Sequence, residues 1–301
     1  MNMAPVALFV YNRPVHTRRT VEALLNNPEA SKTDLHVFSD HPKDPQSEEA
    51  VSEVRRYIRQ LQGFRNIEIT EQHTNQGLAR SIISGVNSVC SSYGRVIVFE
   101  DDLVASPRLL KFMNDALAFY ENYDNVAHVS GYTYPIEASG LPETYFLRLP
   151  MCWGWGTWWR AWQGFEKTLQ VMERFDHQAR HRFDFDSSYG YWRQLELNRA
   201  GTIDTWFIFW YANVFLNGQL CLFPKTSLID NIGHDGTGVH CGSNADYGVT
   251  LANAAPRVGG IPVVESEEAY RRHVRYFKSI RKGLGARAIG KAARFLKRAL
   301  G

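Results

Sequence analysis

Short apolar runs alternate with helix-like segments over the first hundred residues of the chain. Four of these runs have the length and apolar content of buried strands: VALFVY, DLHVFSD, NIEITE and RVIVFEDD. Segments with apolar residues at three- and four-residue steps separate them: HTRRTVEALLNN, EEAVSEVRRYIRQLQGF and LARSIISGVNSVC. The alternation predicts an α/β fold with a mostly parallel, Rossmann-like central sheet and helices on both faces.

Charged residues follow three of these strands. Arg13 comes after the first strand, Asp40 ends the second, and Glu100, Asp101 and Asp102 end the fourth. Ligands of parallel sheets bind beyond the carboxyl ends of the strands, so one cleft could collect all five side chains. Three adjacent carboxylates repel one another and need a compensating cation, proton or ligand. Mg²⁺ or Mn²⁺, held by one or two carboxylates and by phosphate oxygens, suits this chemistry.

Aromatic residues dominate part of the second half of the chain. Five of the eight tryptophans lie in LPMCWGWGTWWRAWQGF. Such a cluster usually packs in a core, but the glycines of WGWG also allow exposed rings that stack on sugars, and both interpretations stay open. Asp204 is the single charged residue of TIDTWFIFWYANVFLNG, where it is either a helix N-cap or a carboxylate that readily takes up a proton.

Several motifs are absent, and their absence narrows the function. The chain has no GxxxxGK[ST], GxGxxG or GxSxG motif, which disfavours a P-loop NTPase, a dinucleotide dehydrogenase and an α/β-hydrolase. The first apolar run is too short for a signal peptide, and no segment approaches the length of a membrane span. A cytoplasmic protein is therefore expected.

Basic residues concentrate at the end of the chain. From Arg271 onward lie 11 of the 34 Lys and Arg residues and none of the 31 Asp and Glu residues. Apolar residues recur there at helical spacing, which predicts a body, residues 1–266, and a basic amphipathic helix, residues 267–301. This helix either lies on an anionic membrane surface, at the inner face of the cell membrane, or docks on the body. Nucleic acid is not an expected partner, because the body is acidic.

The segment VIVFEDDLVASPRLLKFM resembles the N-acetylglucosaminyltransferase I family and its bacterial sugar-transferase relatives, which have the GT-A fold. A hydrophobic strand, EDD, a short loop with Pro and a helix carry the resemblance. It extends more weakly over FVYNRP, HVSGY, WGWG, IDTW and FPKTSLIDNIGHDGTGV, and so covers most of the body and none of the basic segment. The resemblance implies a glycosyltransferase that uses a nucleotide-diphospho sugar and a glycan or lipid-linked acceptor.

The resemblance also implies roles for individual residues. Asp102 would be the direct ligand of Mn²⁺ or Mg²⁺, supported by Glu100 and Asp101, which could also contact the ribose and sugar. Arg13 and Asp40 match positions that bind the base and ribose of the nucleotide. Asp204 matches the aspartate that deprotonates the acceptor hydroxyl.

Two further residues are candidates beside those of the family pattern. His234 lies in the loop after FPKTSLIDN, within the last weakly similar segment; a late-loop histidine completes the metal site in many GT-A enzymes, although this family does not require one. Arg80, just after the Asn75 to Gly77 turn, could bind a phosphate near a helix start or be a solvated helix residue.

Together these features predict a metal-dependent, inverting glycosyltransferase that uses a UDP-linked donor in surface-polysaccharide or glycoconjugate assembly. Two alternatives remain. A nucleotidyltransferase would need a second metal-binding carboxylate and a Gly-rich basic loop. A non-catalytic carbohydrate-binding protein would use the tryptophan cluster.

Overall fold

The computed structural model describes residues 3–233 and 247–281, and within these ranges ten strands form two sheets. The strands are β1 (Val6–Val10), β2 (Asp34–Ser39), β3 (Asn66–Glu71), β4 (Arg95–Glu100), β5 (Leu103–Ala105), β6 (Val126–Ser130), β7 (Thr144–Leu147), β8 (Trp155–Trp158), β9 (Leu220–Pro224) and β10 (Ile229–Asn231).

Helices connect most of these strands. They are α1 (Pro14–Leu25), α2 (Glu48–Ile58), α3 (Leu78–Tyr93), α4 (Leu109–Phe119), α5 (Trp159–Trp162), α6 (His177–Phe183), α7 (Tyr191–Arg199), α8 (Phe207–Leu216) and a last helix, α9, over residues 267–281. Short 3₁₀ helices span Ala30–Lys32, Pro45–Ser47 and Leu169–Arg174. No helix in the described part of the chain is both long and apolar enough to cross a bilayer.

The main sheet has eight strands in the order β3-β2-β1-β4-β8-β6-β9-β7. β3, β2, β1 and β4 pair in parallel, as do β6 and β9, whereas β8 is antiparallel to both of its neighbours and β7 is antiparallel to β9. The predicted α/β class with a mostly parallel central sheet is confirmed. The pattern of the sequence did not predict the antiparallel strand between β4 and β6.

Helices cover both faces of the parallel half because of the handedness of the crossovers. The chain moves from β1 through α1, β2 and α2 to β3 in one direction, and then returns across the sheet through α3 to β4. Right-handed crossovers therefore place α1 and α2 on one face and α3 on the other. The return point lies between β1 and β4, where doubly wound sheets open a crevice at their carboxyl ends.

Helix α3 packs closely on the sheet at Gly85. A Cβ atom at this position would lie 2.6 Å from the ring of Phe9, which stacks on Phe38 of the next strand. Glycine therefore lets the helix backbone approach the two rings. This contact sets the distance between α3 and the sheet, and so the position of the first turn of α3 at the carboxyl edge of the strands.

Helix α9 docks on the body of the protein. Tyr270, His273, Val274 and Phe277 are buried, and Tyr270 donates a hydrogen bond from its hydroxyl to Asp186 at 2.8 Å. For residues 267–281, docking on the body is thus the alternative that the structure supports. Residues 282–301, with the rest of the predicted basic helix, lie outside the described residues.

We expect Gly85→Val to lower the free energy of unfolding by about 1–3 kcal/mol, because the added side chain must displace the Phe9 ring or the helix. Denaturant-unfolding midpoints measure the change. Gly164 is the matched control, since an added Cβ there meets nothing within 4 Å, and Gly164→Val should change stability by less than about 0.5 kcal/mol. Equal losses in the two variants would contradict the close packing of α3.

Candidate functional site

Opposite charges converge at the carboxyl edge of β1 and β4. Arg13, one residue before α1, directs its Nη2 atom at the carboxylates of both Asp101 and Asp102. The Nη2 to Asp102 Oδ2 distance is 3.0 Å, and the contact to Asp101 Oδ1 is closer. Asp101 and Asp102 are buried, and the Arg13 side chain is only 19% exposed. The three adjacent carboxylates predicted a compensating cation. Among the described residues, that cation is the Arg13 guanidinium.

Backbone and hydroxyl groups fix the carboxylate segment in place. The Tyr11 N–H donates to Asp101 Oδ2 at 3.2 Å. The Thr20 hydroxyl donates to the Asp101 carbonyl at 2.8 Å and accepts from the Leu103 N–H at 3.1 Å. Thr20 lies on α1, so the helix that begins beside Arg13 also holds the turn that carries the carboxylates.

A distant part of the chain closes this site from another side. Strand β10 pairs with β5, and the Ile232 N–H that follows it donates to the Asp102 carbonyl at 2.9 Å. The next residue is Gly233, where a Cβ atom would lie 2.1 Å from Asp102 Oδ2 and 3.1 Å from Arg13 Nη1. Only glycine leaves room for both charged groups here.

Burial and mutual repulsion alter the protonation of these groups. Desolvation raises the pKa of Glu100 to about 8, and the charges of Asp102 and Asp101 add to the effect. Desolvation also raises the pKa of Asp101 to about 6, with Arg13 acting in the opposite direction. Burial opposes the charge of Arg13, but the two aspartates outweigh it and raise its pKa. Burial and the neighbouring charges thus favour the protonated form of Glu100, and the two aspartates face a single guanidinium, so the site keeps an excess of negative charge.

Asp40 lies at the end of β2, and protein groups surround its carboxylate. Oδ1 accepts from the Gln76 N–H at 2.8 Å, and Oδ2 accepts from the Gly77 N–H at 2.9 Å and from the Asn75 side chain at 3.2 Å. The Asp40 carbonyl accepts from Arg55 at 3.2 Å. Asp40 therefore shapes the loop that leads into α3; its contact with a nucleotide stays a prediction.

Asp204 and Arg80 line one cavity of about 250 Å³, together with Lys167. The Asp204 side chain is 79% exposed and forms an ion pair with Lys167. The apolar surroundings expected for this carboxylate are thus not found. The N-cap interpretation also fails, because the N-cap of α8 is Trp206 and no side chain caps it. What the structure does bring together is Asp204 and Arg80, two residues that the sequence predicted separately.

The tryptophan cluster is mainly core. Trp155, Trp158 and Trp162 are buried, whereas Trp153 and Trp159 are only partly buried. Three of the five rings are therefore closed to a sugar, which weighs against the carbohydrate-binding alternative.

The described residues contain no group of three or more His, Cys, Asp or Glu side chains that could hold a metal. Asp101 and Asp102 are neighbouring carboxylates, and Mg²⁺ is often held by one or two carboxylates together with substrate phosphates. The residues thus fit a cation that shares its coordination with a diphosphate. His234, the other predicted ligand, lies outside the described residues.

Three contributors to the site had no signal in the sequence. Lys167 lies in an unremarkable loop, Thr20 looks like any helix residue, and Gly233 is one glycine among several in its stretch. Each acts through a contact with a residue far away in the chain, which local pattern does not reveal.

No known protein family matches the chain, and no curated protein is significantly similar to it. Among solved structures, TarS of S. aureus is similar over 42% of this chain, with 17% identity and a TM-score of 0.30; the match spans 21% of the TarS chain. The mannosyltransferase PcManGT of Pyrobaculum calidifontis, in complex with GDP-Man and Mn²⁺, is similar over 71% of this chain and 70% of its own, with 11% identity and a TM-score of 0.41. Both TM-scores are too low for either likeness to carry an inference about this chain.

We expect Asp40→Ala to speed the hydrogen exchange of the Gln76 and Gly77 amides by roughly tenfold or more, because both lose a charged acceptor. Amide exchange followed by NMR or mass spectrometry measures this. Asp176→Ala is the control, because Asp176 caps α6 by accepting from the Ala179 N–H at 2.7 Å and should affect that amide alone. Unchanged exchange at positions 76 and 77 in Asp40→Ala would contradict the role of Asp40 in holding this loop.

Proposed function

We propose that this protein is a metal-dependent, inverting glycosyltransferase with a GT-A fold. It transfers a sugar from a nucleotide-diphospho sugar, most simply a UDP-linked one, to a hydroxyl of a glycan or lipid-linked acceptor in surface-polysaccharide or glycoconjugate assembly. The observation that carries the proposal is the meeting of Arg13 with Asp101 and Asp102 at the crevice between β1 and β4. Parallel sheets bind nucleotides at this kind of crevice.

The charges at the crevice suit a nucleotide diphosphate. A guanidinium is a strong ligand for phosphate oxygens. Asp102, with Asp101 beside it, would hold Mn²⁺ or Mg²⁺, and that cation would neutralise the charge that develops on the diphosphate leaving group. Arg13 and Asp40, at the ends of adjacent strands, supply the polar side of the nucleotide pocket in this proposal.

Asp204 is the proposed general base. The acceptor hydroxyl enters the cavity of about 250 Å³ and transfers its proton to the Asp204 carboxylate. The oxygen then bonds to the anomeric carbon while the bond from that carbon to the diphosphate breaks, and the electron pair leaves with the diphosphate. A single displacement of this kind needs one base, and Asp204 is the one carboxylate among the residues that line the cavity.

Lys167 and Arg80 give the same cavity a positive character. Lys167 pairs with Asp204, and its Nζ atom lies 5.8 Å from the centre of the Phe209 ring. Among the described residues Arg80 makes no ion pair, so its guanidinium is available to a phosphate or to an anionic group of the acceptor. In the proposed reaction, Lys167 orients the Asp204 carboxylate and Arg80 steers the substrate.

The basic residues from Arg271 onward favour binding of the protein to an anionic membrane surface, where lipid-linked acceptors lie. Each Lys or Arg near such a surface contributes on the order of 1 kcal/mol of attraction. Six of the 11 basic residues follow position 281, where the described part of the chain ends.

We expect UDP to bind in the presence of Mn²⁺, and we expect Asp102→Ala to abolish this metal-dependent binding while Asp204→Asn retains it. In a transfer assay with the matching donor, Asp204→Asn should lose about 10²-fold or more of the rate, since it lacks the base. Isothermal titration calorimetry measures the binding. Asp115→Asn, a change on the exposed face of α4 that removes the pair with Lys111, is the control. Metal-dependent UDP binding that survives Asp102→Ala would remove Asp102 from the metal site, and no UDP binding in any variant would refute the UDP donor.

We also expect the full chain to sediment with vesicles of phosphatidylglycerol and phosphatidylcholine, and to remain in solution with pure phosphatidylcholine. A variant that ends at Arg281 should bind the anionic vesicles at least tenfold more weakly, because it lacks six cations. Binding that is equal for the two proteins, or equal for the two lipids, would argue against the membrane role.

A further inference from the structure

Arg13 fills the position that a metal ion would need. One nitrogen atom, Nη2, contacts both Asp101 and Asp102, and its distance to Asp102 Oδ2 is 3.0 Å. The backbone of Gly233 crowds the same oxygen from another side. A divalent cation needs a carboxylate oxygen at about 2.0–2.2 Å. A cation bound to that oxygen would lie next to the guanidinium, and repulsion between the two positive charges favours withdrawal of Arg13 from Asp102 when a cation binds.

Withdrawal of Arg13 alone would be unfavourable. Its side chain is 19% exposed, and a charge in such a site is strongly destabilised when it has no partner. An incoming diphosphate would give the guanidinium new oxygen partners at the same edge of the sheet. Arg13 is the N-cap residue of α1 and precedes the first helical turn. Its side chain can therefore rotate without any change in the helix.

We propose that Arg13 is an exchangeable counter-ion. In the free protein it neutralises Asp101 and Asp102, and when metal and nucleotide bind it moves from these carboxylates to the diphosphate. The inference rests on the proposed function. In this proposal Arg13 is a positioning residue that couples the binding of the two ligands. Metal alone binds weakly because it competes with the Arg13 guanidinium for the carboxylates. Nucleotide strengthens metal binding because its diphosphate takes over the guanidinium. By thermodynamic linkage, metal strengthens nucleotide binding by the same factor.

The test measures Mn²⁺ binding with and without UDP, using the electron paramagnetic resonance signal of free Mn²⁺. For the unaltered protein we expect UDP to increase the Mn²⁺ affinity by about tenfold or more. Arg13→Gln should bind Mn²⁺ about tenfold more tightly than the unaltered protein in the absence of UDP, and the increase caused by UDP should fall toward onefold. Arg18→Gln is the matched control on the same helix; Arg18 lies over the Tyr57 ring and should not alter Mn²⁺ binding.

A second variant guards against misfolding, since Arg13→Gln leaves two buried carboxylates without their cation. Arg13→Lys keeps the charge, but its terminal nitrogen lies one bond closer to the backbone than Nη2 and so reaches the two carboxylates less well. It should bind Mn²⁺ with an affinity between those of the unaltered protein and Arg13→Gln.

Two results would overturn the inference. The first is Mn²⁺ binding, without nucleotide, that is no tighter in Arg13→Gln and Arg13→Lys than in the unaltered protein. The second is a UDP effect on Mn²⁺ affinity that persists in full in both variants. Failure of the proposed function is distinct from these, because it would appear as no UDP binding by the unaltered protein, while the Mn²⁺ titrations without UDP would still report the competition with Arg13.

Discussion

The ion pairs between Arg13 and the two aspartates are the interaction on which the rest of this site depends. Two adjacent buried carboxylates at the end of a strand can stay ionised only beside a cation. Arg13 supplies it from just beyond the end of the neighbouring strand, so these ion pairs form because β1 and β4 are adjacent. The order of the strands and the electrostatics of the site therefore depend on each other: the strand pairing brings Arg13 to the two aspartates, and the ion pairs form at the edge where these two strands end.

The same constraint explains why the segment around Asp102 is fastened so firmly. Thr20 bonds the backbone on both sides of Asp102, and Ile232 bonds its carbonyl. These backbone contacts hold in place the turn that carries the two carboxylates beside Arg13. A site held in this way loses little further freedom when a charged ligand enters, which favours binding.

The sequence alone predicted where Arg13, Asp40 and Asp102 lie in the fold. Alternating strands and helices place Arg13, Asp40 and Asp102 at strand ends, and strand ends meet at one edge of a parallel sheet. The prediction was weaker in the second half, where β8 inserts in an antiparallel sense and pairing depends on contacts between distant segments. Lys167 shows the limit most clearly, since nothing near it in the chain indicates that it meets Asp204.

The buried tryptophans link the two halves of the proposed site. Val98, on the strand that ends in the carboxylates, pairs with Trp155 of β8. The Trp155 ring stacks on that of Trp206, at a centroid distance of 5.3 Å, and Trp206 follows Asp204 by two residues. An exposed carboxylate in a loop needs a rigid anchor if it is to act as a base, and large aromatic contacts of this kind provide one. In the sequence, the tryptophan cluster resembles a sugar-binding surface. In the folded protein it connects the loop that carries Asp204 to β4, the strand that leads into Asp102.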